Sequence, residues 1–425
     1  MLSSNSSNKG LLVITQVYKP EPGFITADVA EFLARREPVT VVTAHPNYPY
    51  GRFYSGARFW RVERTMENGV TIWRLPFFPD HSRSIGLRTI SYLSFALVAS
   101  IVSPFVAGRP RAVWVYHGPF TTGLAAIWFQ RFSGARLIFT CADLWPESFA
   151  AAGLASHRFL MKILYAYRNW LNRRADDVIC STKGTATRLA EGGCYRNRLH
   201  YVPVWIPAVE EPTTDRVSSR ETQFRVVYAG NLGPAQDLDT ILYAALELQT
   251  ENLPIVFDVY GSGNRETDLR QLAARLGLRN LTFHGRVSSE AAFSASTRAS
   301  AQVVSLQSSQ LFEMTIPSKL FFSFAAGTPI LFGLRGEAAE LAAESRGGIR
   351  FEAGDPASLA GAIKALLATP LEERDRMGAR LREFYDNNFR PNLLLKRYEE
   401  ILLAPSVAIG RDGLASDLEP SRVIA

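Results

Sequence analysis

The sequence contains glycine-bearing turns where an apolar run gives way to a helical pattern, and one of them is Gly230-Asn231-Leu232-Gly233. It follows the apolar run Phe224–Ala229 and precedes a helix that we expect to start near Leu238. Glycine allows the backbone to approach a phosphate closely, and the next helix N-terminus offers free N–H groups with partial positive charge. A diphosphate fits that environment. An ordinary strand-to-helix turn has the same composition, so this motif alone leaves both interpretations open.

A second turn of the same kind contains Gly261 and Gly263, within FDVYGSGNRETDL. A GxG pair alone is a weak signal. Both turns follow strand-like runs, however, and open α/β sheets bind their ligands at the carboxyl ends of the strands. Two such loops therefore favour a ligand-binding edge in this half of the chain. A further loop, GLRGEAAE, opens another helix at Gly336 and Glu337.

Lys319 lies where an isolated cation is unfavourable. Pro317 and Ser318 are typical of a helix start, and Gly327 is a typical helix end. A lysine in the first turn faces the positive end of the helix dipole. Its position makes sense if an anion is shared between the ammonium group and the backbone N–H groups. A solvated surface lysine is the competing interpretation.

Apolar runs separated by helical stretches extend through both halves of the chain. Such runs indicate strands buried on both faces, and strands alternating with helices indicate parallel sheets. A polar segment rich in Pro, Ser and Thr interrupts the pattern and predicts a linker. We therefore expect an α/β protein with two Rossmann-like, doubly wound domains facing a central cleft. The expected boundaries are an N-terminal domain at 1–205, the linker at 206–222, a second domain at 223–390, a C-terminal helix at 391–403 and a disordered tail at 404–425.

Composition excludes several classes of protein. The chain has 425 residues, of which 47% are hydrophobic and 20% charged, which is typical of a globular protein and not of a fibrous or disordered one. Its three cysteines form no CxxC pair and its six histidines no HxxH pair, so we expect neither a disulfide framework nor a bound metal. The net charge of +7 permits anionic ligands without selecting one. Charge alone does not indicate nucleic-acid binding, and we expect no nucleic-acid partner.

Taken together, the motifs resemble one protein family. YAGNLGPAQDLDTIL, IPSKLFFSFAAGTPIL and GEAAEL are similar to segments of family-4 retaining glycosyltransferases of the GT-B fold. More narrowly, they resemble the bacterial fucosamine-transferase-like branch that builds O-antigen and exopolysaccharide. VTAHPNYPYGRFYSG, ENGVTIWRLP and ADLWPES in the first half agree with this branch. The resemblance covers about residues 10–403.

The resemblance implies a transferase that moves a sugar from a UDP- or GDP-sugar to a lipid-linked saccharide at the cytoplasmic face of the inner membrane. Such enzymes retain the anomeric configuration and need no metal or other cofactor. Backbone amides and basic side chains stabilise the departing nucleoside diphosphate instead. Two other hypotheses stay open at this point. One is a non-catalytic GT-B-like subunit that binds a nucleotide sugar in a polysaccharide assembly complex, and the other is a nucleotide-sugar epimerase of related architecture.

The resemblance also implies roles for individual residues. Gly23 matches the glycine loop that faces the diphosphate from the first domain, and His117 matches a histidine near the transferred sugar. Asp143 and Glu147 are acidic groups on the acceptor side. A structural histidine and a helix-start acidic pair are the competing interpretations. We predict His117 and Lys319 as catalytic residues, and the donor-binding residues as Gly23, Gly230, Asn231, Gly233, Gln236, Gly261, Gly263, Ser318, Lys319, Gly336 and Glu337.

The sequence departs from the family pattern at two places. The glutamate that holds the ribose hydroxyls in many relatives would fall on Phe322, and its partner eight positions earlier would fall near Met314. The Arg and Lys that often grip the diphosphate fall near Asn231 and Gln236, which are polar but neutral. Lys319 is then the best local cation for the diphosphate.

Two segments of the first half bear on membrane contact. Ser91–Ala107 is an uncharged stretch of seventeen residues, for which a buried or interfacial helix and a transmembrane span are both open. Arg158–Arg174 mixes basic residues with Phe, Tyr and Trp, a composition that suits the lipid headgroup boundary. An amphipathic helix with a solvated outer face is the alternative for this segment. Because a lipid-linked acceptor confines an enzyme to a surface, we expect peripheral membrane contact.

Overall fold

The computed structural model describes residues 10–48, 50–54, 60–82, 84–116, 118–142, 144–147, 158–207 and 223–405. The predicted catalytic residue His117 and the predicted acceptor-side residue Asp143 lie outside these ranges. Most of the predicted linker and of the predicted tail also lies outside them. The chain divides into two compact units, one formed by residues 1–204 with 392–425 and the other by residues 205–391.

The first unit is an eight-stranded sheet with helices in the connections. Its described strands are β1 (Leu11–Ile14), β2 (Val39–Ala44), β3 (Glu63–Glu67), β4 (Val70–Leu75), β5 (Ala112–Tyr116), β6 (Arg136–Cys141), β7 (Asp177–Cys180) and β8 (Leu199–Tyr201). Its described helices before the second unit are α1 (Phe24–Ala34), α2 (Ile85–Val106), α3 (Thr122–Ser133), α4 (Arg158–Arg174) and α5 (Lys183–Glu191).

The strand order of this sheet is β3-β4-β2-β1-β5-β6-β7-β8. All neighbours pair in parallel except β3, which is an antiparallel edge strand beside β4. The inner strands are almost completely buried, because helices cover them and leave little room for polar side chains. The sequence pattern misses β3, since its alternating charged residues lack the continuous apolar run of an inner strand.

The second unit is a six-stranded sheet with its own core. Its strands are β9 (Phe224–Ala229), β10 (Ile255–Tyr260), β11 (Leu281–Gly285), β12 (Ala301–Ser305), β13 (Ile330–Gly333) and β14 (Gly348–Arg350). Its helices are α6 (Leu238–Thr250), α7 (Glu266–Arg275), α8 (Ser289–Arg298), α9 (Gln310–Glu313), α10 (Ser318–Ala326), α11 (Gly336–Glu344), α12 (Pro356–Ala368) and α13 (Leu371–Asn388).

The strand order of the second sheet is β11-β10-β9-β12-β13-β14, and every pair is parallel. The expected α/β architecture with two Rossmann-like sheets is therefore confirmed. The order reverses between β9 and β12, where the chain changes the direction in which it adds strands. The carboxyl ends of these two strands flank the position at which open α/β sheets bind ligands.

The last helix, α14 (Pro391–Leu402), packs on the first unit. Tyr398 is buried, and its ring centroid lies 5.5 Å from that of Trp114 on β5. Arg136 donates a hydrogen bond of 2.7 Å to the carbonyl oxygen of Ile401. Glu399 forms an ion pair with Arg36. The segment that follows the second unit in sequence thus completes the core of the first.

Replacing Tyr398 with alanine is expected to lower the free energy of unfolding of the first unit by about 3 kcal/mol, because it opens a cavity against Trp114. The measurement is the urea midpoint followed by tryptophan fluorescence. The matched control is Leu393→Ala on the same helix, whose side chain is 40% exposed. Equal midpoints for the two variants would contradict the packing role of α14.

Candidate functional site

Two glycine loops of the second unit are joined backbone to backbone. The Gly230 N–H donates to the Tyr260 carbonyl oxygen at 3.0 Å, and the Leu232 N–H donates to the Ser262 carbonyl oxygen at 3.0 Å. Gly261 has a φ of +133°, and a Cβ at this position would overlap the carbonyl oxygen of Gly230. Only glycine fits so close an approach in this conformation. The loops after β9 and β10 therefore form one rigid edge.

The side chain of Asn231 lies between the other two predicted glycines. A Cβ on Gly233 would come within 2.7 Å of its Nδ2, and a Cβ on Gly263 within 2.8 Å of its Oδ1. The backbone oxygen of Asn231 accepts a hydrogen bond of 2.7 Å from the Tyr228 hydroxyl. The structure thus brings together Gly230, Asn231, Gly233, Gly261 and Gly263, which the sequence analysis grouped only by motif.

Lys319 reaches this glycine edge from the first turn of α10. Its ammonium nitrogen donates to the Tyr228 hydroxyl at 2.8 Å and also to Oε1 of Gln236. It lies 4.3 Å from the centroid of the Tyr228 ring. A Cβ on Gly230 would come within 3.4 Å of the same nitrogen. Lys319 and Gln236, predicted from separate motifs, are therefore direct neighbours at the loop after β9.

The ammonium group of Lys319 is held by neutral groups. Burial lowers its pKa from 10.5 to about 7. Burial also raises the pKa of Tyr228 and keeps the phenol neutral. In the described ranges, no carboxylate forms an ion pair with this lysine, so its charge is not compensated. The burial and the hydrogen bonds of the ammonium group exclude the interpretation of Lys319 as a freely solvated surface residue. An anion at the glycine edge would supply the missing countercharge.

The backbone around Gln236 is fixed by neighbours that the sequence analysis did not identify. Ser305, the last residue of β12, donates to the Gln236 carbonyl oxygen at 2.8 Å. Asp237 has a φ of +53° and accepts hydrogen bonds from the Gly354 N–H at 2.8 Å and from the Thr240 hydroxyl at 2.9 Å. A single sequence motif could not reveal these partners, because they come from strands and loops far apart in the chain.

The remaining predicted donor-side residues lie on two helix starts. Ser318 is the exposed first residue of α10, a helix whose N-terminus has no side-chain cap. Gly336 opens α11 with a φ of +57°, and a Cβ there would overlap the backbone of Glu313. Glu337 follows it in the first turn of α11.

Phe322 occupies the position at which relatives of the family carry a glutamate. Its ring packs edge-to-face on Phe293 of α8 at a centroid distance of 5.2 Å. A phenyl ring accepts no hydrogen bond from a ribose hydroxyl of the kind that a carboxylate accepts. In this chain the position contributes to the contact between α8 and α10.

In the first unit, the structure describes two of the predicted site residues. Gly23 caps the N-terminus of α1 after the carboxyl end of β1. Glu147 is buried, and its carboxylate accepts hydrogen bonds from Arg168 at 2.9 and 3.1 Å and from Arg188 at 3.3 Å. This carboxylate holds α4 and α5 together.

In the described parts of the chain, no three His, Cys, Asp or Glu side chains converge on one point. The three cysteines are buried and unpaired.

Comparison with known protein families identifies both units. Residues 22–205 match the family described as "Glycosyl transferase 4-like domain", and residues 210–384 match "Glycosyl transferases group 1". The chain is a glycosyltransferase with the GT-B fold. The resemblance stated from its sequence motifs is thereby confirmed. The first match covers the first unit except residues 1–21 and the C-terminal segment 392–425, and the second covers most of the second unit.

Individual known proteins are also similar to the chain. It is 26% identical over 294 residues to the putative colanic acid biosynthesis glycosyl transferase WcaI of Escherichia coli, covering 64% of this chain and 70% of WcaI. Among solved structures it is similar to Anabaena HepE in complex with UDP, with a TM-score of 0.69, 13% identity and coverage of 93% and 100%. WaaG, a glycosyltransferase of lipopolysaccharide biosynthesis, gives a TM-score of 0.66, 14% identity and the same coverage. HepE was also solved with UDP-glucose.

The enzyme's affinity for its nucleotide-sugar donor is expected to fall as the pH rises from 7 to 8.5, by up to about tenfold per pH unit. An anion that pairs with Lys319 raises the pKa of the lysine. Above pH 7 the lysine must therefore take up a proton on binding, whereas below pH 7 that proton is already bound. The measurement is the dissociation constant by calorimetry in buffers of different ionisation heat. Lys319→Met should bind more weakly and without this pH dependence.

The matched control is Lys364→Met, since Lys364 is paired on the surface with Glu247 and Glu251. A flat pH profile in the unmodified enzyme would show that Lys319 does not pair with the diphosphate.

Proposed function

We propose that the enzyme transfers a sugar from a UDP- or GDP-sugar to a lipid-linked saccharide in surface polysaccharide biosynthesis, with retention of configuration and without a metal ion. The observation that carries the donor part is the uncompensated ammonium group of Lys319 beside two joined glycine loops. HepE, which has the same fold, was solved with UDP and with UDP-glucose. A diphosphate at the glycine edge would meet backbone N–H groups and a cation together.

The positive groups at this edge can perform the task that a metal ion performs elsewhere. In the reaction, the bond between the sugar C1 and the diphosphate oxygen breaks, and the acceptor hydroxyl oxygen bonds to C1 on the same face. The hydroxyl proton passes to the departing phosphate oxygen. Lys319 and the free N–H groups of α10 stabilise the negative charge that develops on the diphosphate. We infer this front-face displacement, in preference to a covalent glycosyl-enzyme, from the family resemblance.

The reaction is tested by incubating the enzyme and its membranes with labelled UDP- and GDP-sugars in excess EDTA. We expect label in the lipid-linked fraction, an unchanged anomeric configuration by NMR, and a loss of at least about a hundredfold in rate for Lys319→Met. Lys364→Met again serves as the control. Absence of transfer from the whole donor panel would contradict the proposal, and loss of transfer in EDTA would contradict metal independence.

A membrane-bound acceptor requires a membrane-facing surface, and α2 offers one. This helix is long and apolar enough to cross a membrane by length and composition, and only 28% of its most apolar stretch is buried. From Ile90 onward, its exposed large side chains recur every three or four residues and so share one face; they are Ile90, Leu93, Leu97, Ile101 and Phe105. Leu97 is 63% exposed and Phe105 is 84% exposed. A soluble domain does not ordinarily present so long an apolar row to water.

Neighbouring helices extend this apolar face with groups suited to the headgroup region. On α3, which packs beside α2, Trp128 and Phe132 are exposed and in edge-to-face contact at 4.8 Å. On α4, which contacts α3, Phe159 is exposed and Arg174 lies over the Trp170 ring. Aromatic and basic side chains beside an apolar helix face complement anionic lipid. We therefore assign the enzyme to the cytoplasmic face of the inner membrane, with α2 lying in the interface.

The double substitution Leu97→Glu and Ile101→Glu is expected to reduce binding to vesicles of phosphatidylethanolamine and phosphatidylglycerol by at least about tenfold, since two inserting apolar groups are lost. The measurement is co-sedimentation at constant ionic strength. The control is Met66→Glu on β3, where the side chain is 67% exposed but lies outside the α2 face. Equal binding of both variants would refute the assignment.

A further inference from the structure

A second set of exposed side chains lies at the carboxyl edge of the first sheet, apart from the α2 face. The loop after β2 carries Tyr48, Tyr50 and Tyr54, and the loop after β4 carries Phe78 and His81. Strands β2 and β4 are parallel neighbours, so both loops leave the sheet at the same edge. This edge also holds the loop after β1, which contains Gly23. We call these five side chains the aromatic rim.

A buried carboxylate holds the backbone of one rim loop. Glu21, in the loop after β1, accepts hydrogen bonds from the N–H groups of Asn47 at 2.7 Å and Tyr48 at 2.6 Å. The Glu21 side chain is otherwise buried, and burial raises its pKa. An acidic side chain is placed in a core only at a cost, which its hydrogen bonds to backbone offset. The loop after β2 is therefore held in one conformation by the loop that bears Gly23.

Further contacts fix the two rim loops to each other. The Tyr54 hydroxyl donates to the Tyr48 carbonyl oxygen at 2.7 Å, and the Tyr48 ring meets the His81 ring edge-to-face at 4.9 Å. Gly51 has a φ of +66°, and a Cβ there would come within 2.5 Å of the His81 backbone nitrogen. The Phe78 N–H donates to the Ser94 hydroxyl on α2 at 3.0 Å.

The rim rings remain exposed although their backbones are fixed. Tyr50 is 64% exposed, Phe78 45% and Tyr48 36%. Tyr50 leans on Tyr54 with centroids 5.9 Å apart. Ordering large apolar rings at the surface leaves them in contact with water, which is unfavourable unless a ligand covers them. Their fixed position reduces the entropy that a ligand must overcome on binding.

The chemistry of the rim matches a sugar ring. Aromatic faces pack on the apolar C–H side of a pyranose, while phenol hydroxyls can hydrogen-bond its hydroxyl groups. Burial and the nearby Arg88 lower the pKa of His81, so the imidazole is neutral near pH 7 and can both donate and accept a hydrogen bond. The rim therefore favours a saccharide over an isoprenoid chain, which would meet a hydroxyl group at each tyrosine.

We propose that the aromatic rim binds a sugar ring of the lipid-linked acceptor, with Tyr50 stacking on its apolar face. This inference rests on the proposed function, because it names the acceptor subsite of the same reaction. Glu21 is a positioning residue, because it holds the backbone of Tyr48. Within the described part of the chain, its hydrogen bonds reach no rim ring.

The test uses saturation-transfer-difference NMR with synthetic farnesyl diphosphate linked to glucose, to galactose and to N-acetylglucosamine. With the unmodified enzyme, at least one of these probes should receive saturation mainly on its pyranose protons. Tyr50→Ala should remove that signal and raise the acceptor KM about tenfold with little change in kcat. Tyr50→Trp, which keeps an aromatic face, should restore both. The control is Tyr195→Ala, since Tyr195 is 57% exposed just before β8, at the opposite edge of the sheet.

Three results would each overturn the proposal. They are saturation confined to the farnesyl protons, no saturation of any pyranose by the unmodified enzyme, and an unchanged acceptor KM in Tyr50→Ala. The thermal shift produced by UDP-glucose is measured on every variant. Because Tyr50 is not among the predicted donor-binding residues, a rim failure leaves this shift intact, whereas a failure of the donor proposal removes it in the unmodified enzyme as well.

Discussion

The donor site depends on a lysine whose charge has no countercharge in the described residues. Lys319 is placed at the positive end of a helix, against a phenol and an amide oxygen, where burial lowers its pKa to about 7. Burial and the positive end of the helix dipole both disfavour a protonated lysine in the free enzyme. One bound anion would relieve both. We therefore expect Lys319 to gain a favourable electrostatic interaction when a diphosphate binds.

This expected interaction depends on rigid surroundings of the lysine. Hydrogen bonds between the loops after β9 and β10 hold the backbone beside the ammonium group in place, and the fit of Gly261 against Gly230 leaves no room for a side chain at position 261. Ser305 and Asp237 fix the segment around Gln236 from other strands and loops. The electrostatics at Lys319 are thus a property of the whole carboxyl edge.

The first unit has a different surface chemistry at the carboxyl edge of its own sheet. Its buried carboxylate at Glu21 holds backbone, not a ligand, and so orders a loop whose rings face water. Helix α2, which follows β4 in sequence, presents an aliphatic face with little capacity for hydrogen bonding. The aromatic rim has rings and hydroxyl groups that suit a saccharide, whereas the α2 face has apolar groups that suit an acyl chain. Under the proposed function, the first unit would meet both parts of a lipid-linked acceptor, the sugar through the rim and the membrane through α2.

The sequence by itself determined the α/β class, the two sheets and the glycine loops, because continuous apolar runs and strand-end glycines are local patterns. It also indicated Lys319, from its unfavourable place at a helix start. It could not reveal Tyr228, Ser305 or Glu21, nor the packing of α14 on the first unit, because these contacts join residues far apart in the chain. Exposure of α2 was likewise undecided, since an apolar helix reads the same in a core and on a surface. Only the tertiary structure decides which charges are compensated and which faces are covered, because both depend on neighbours in space.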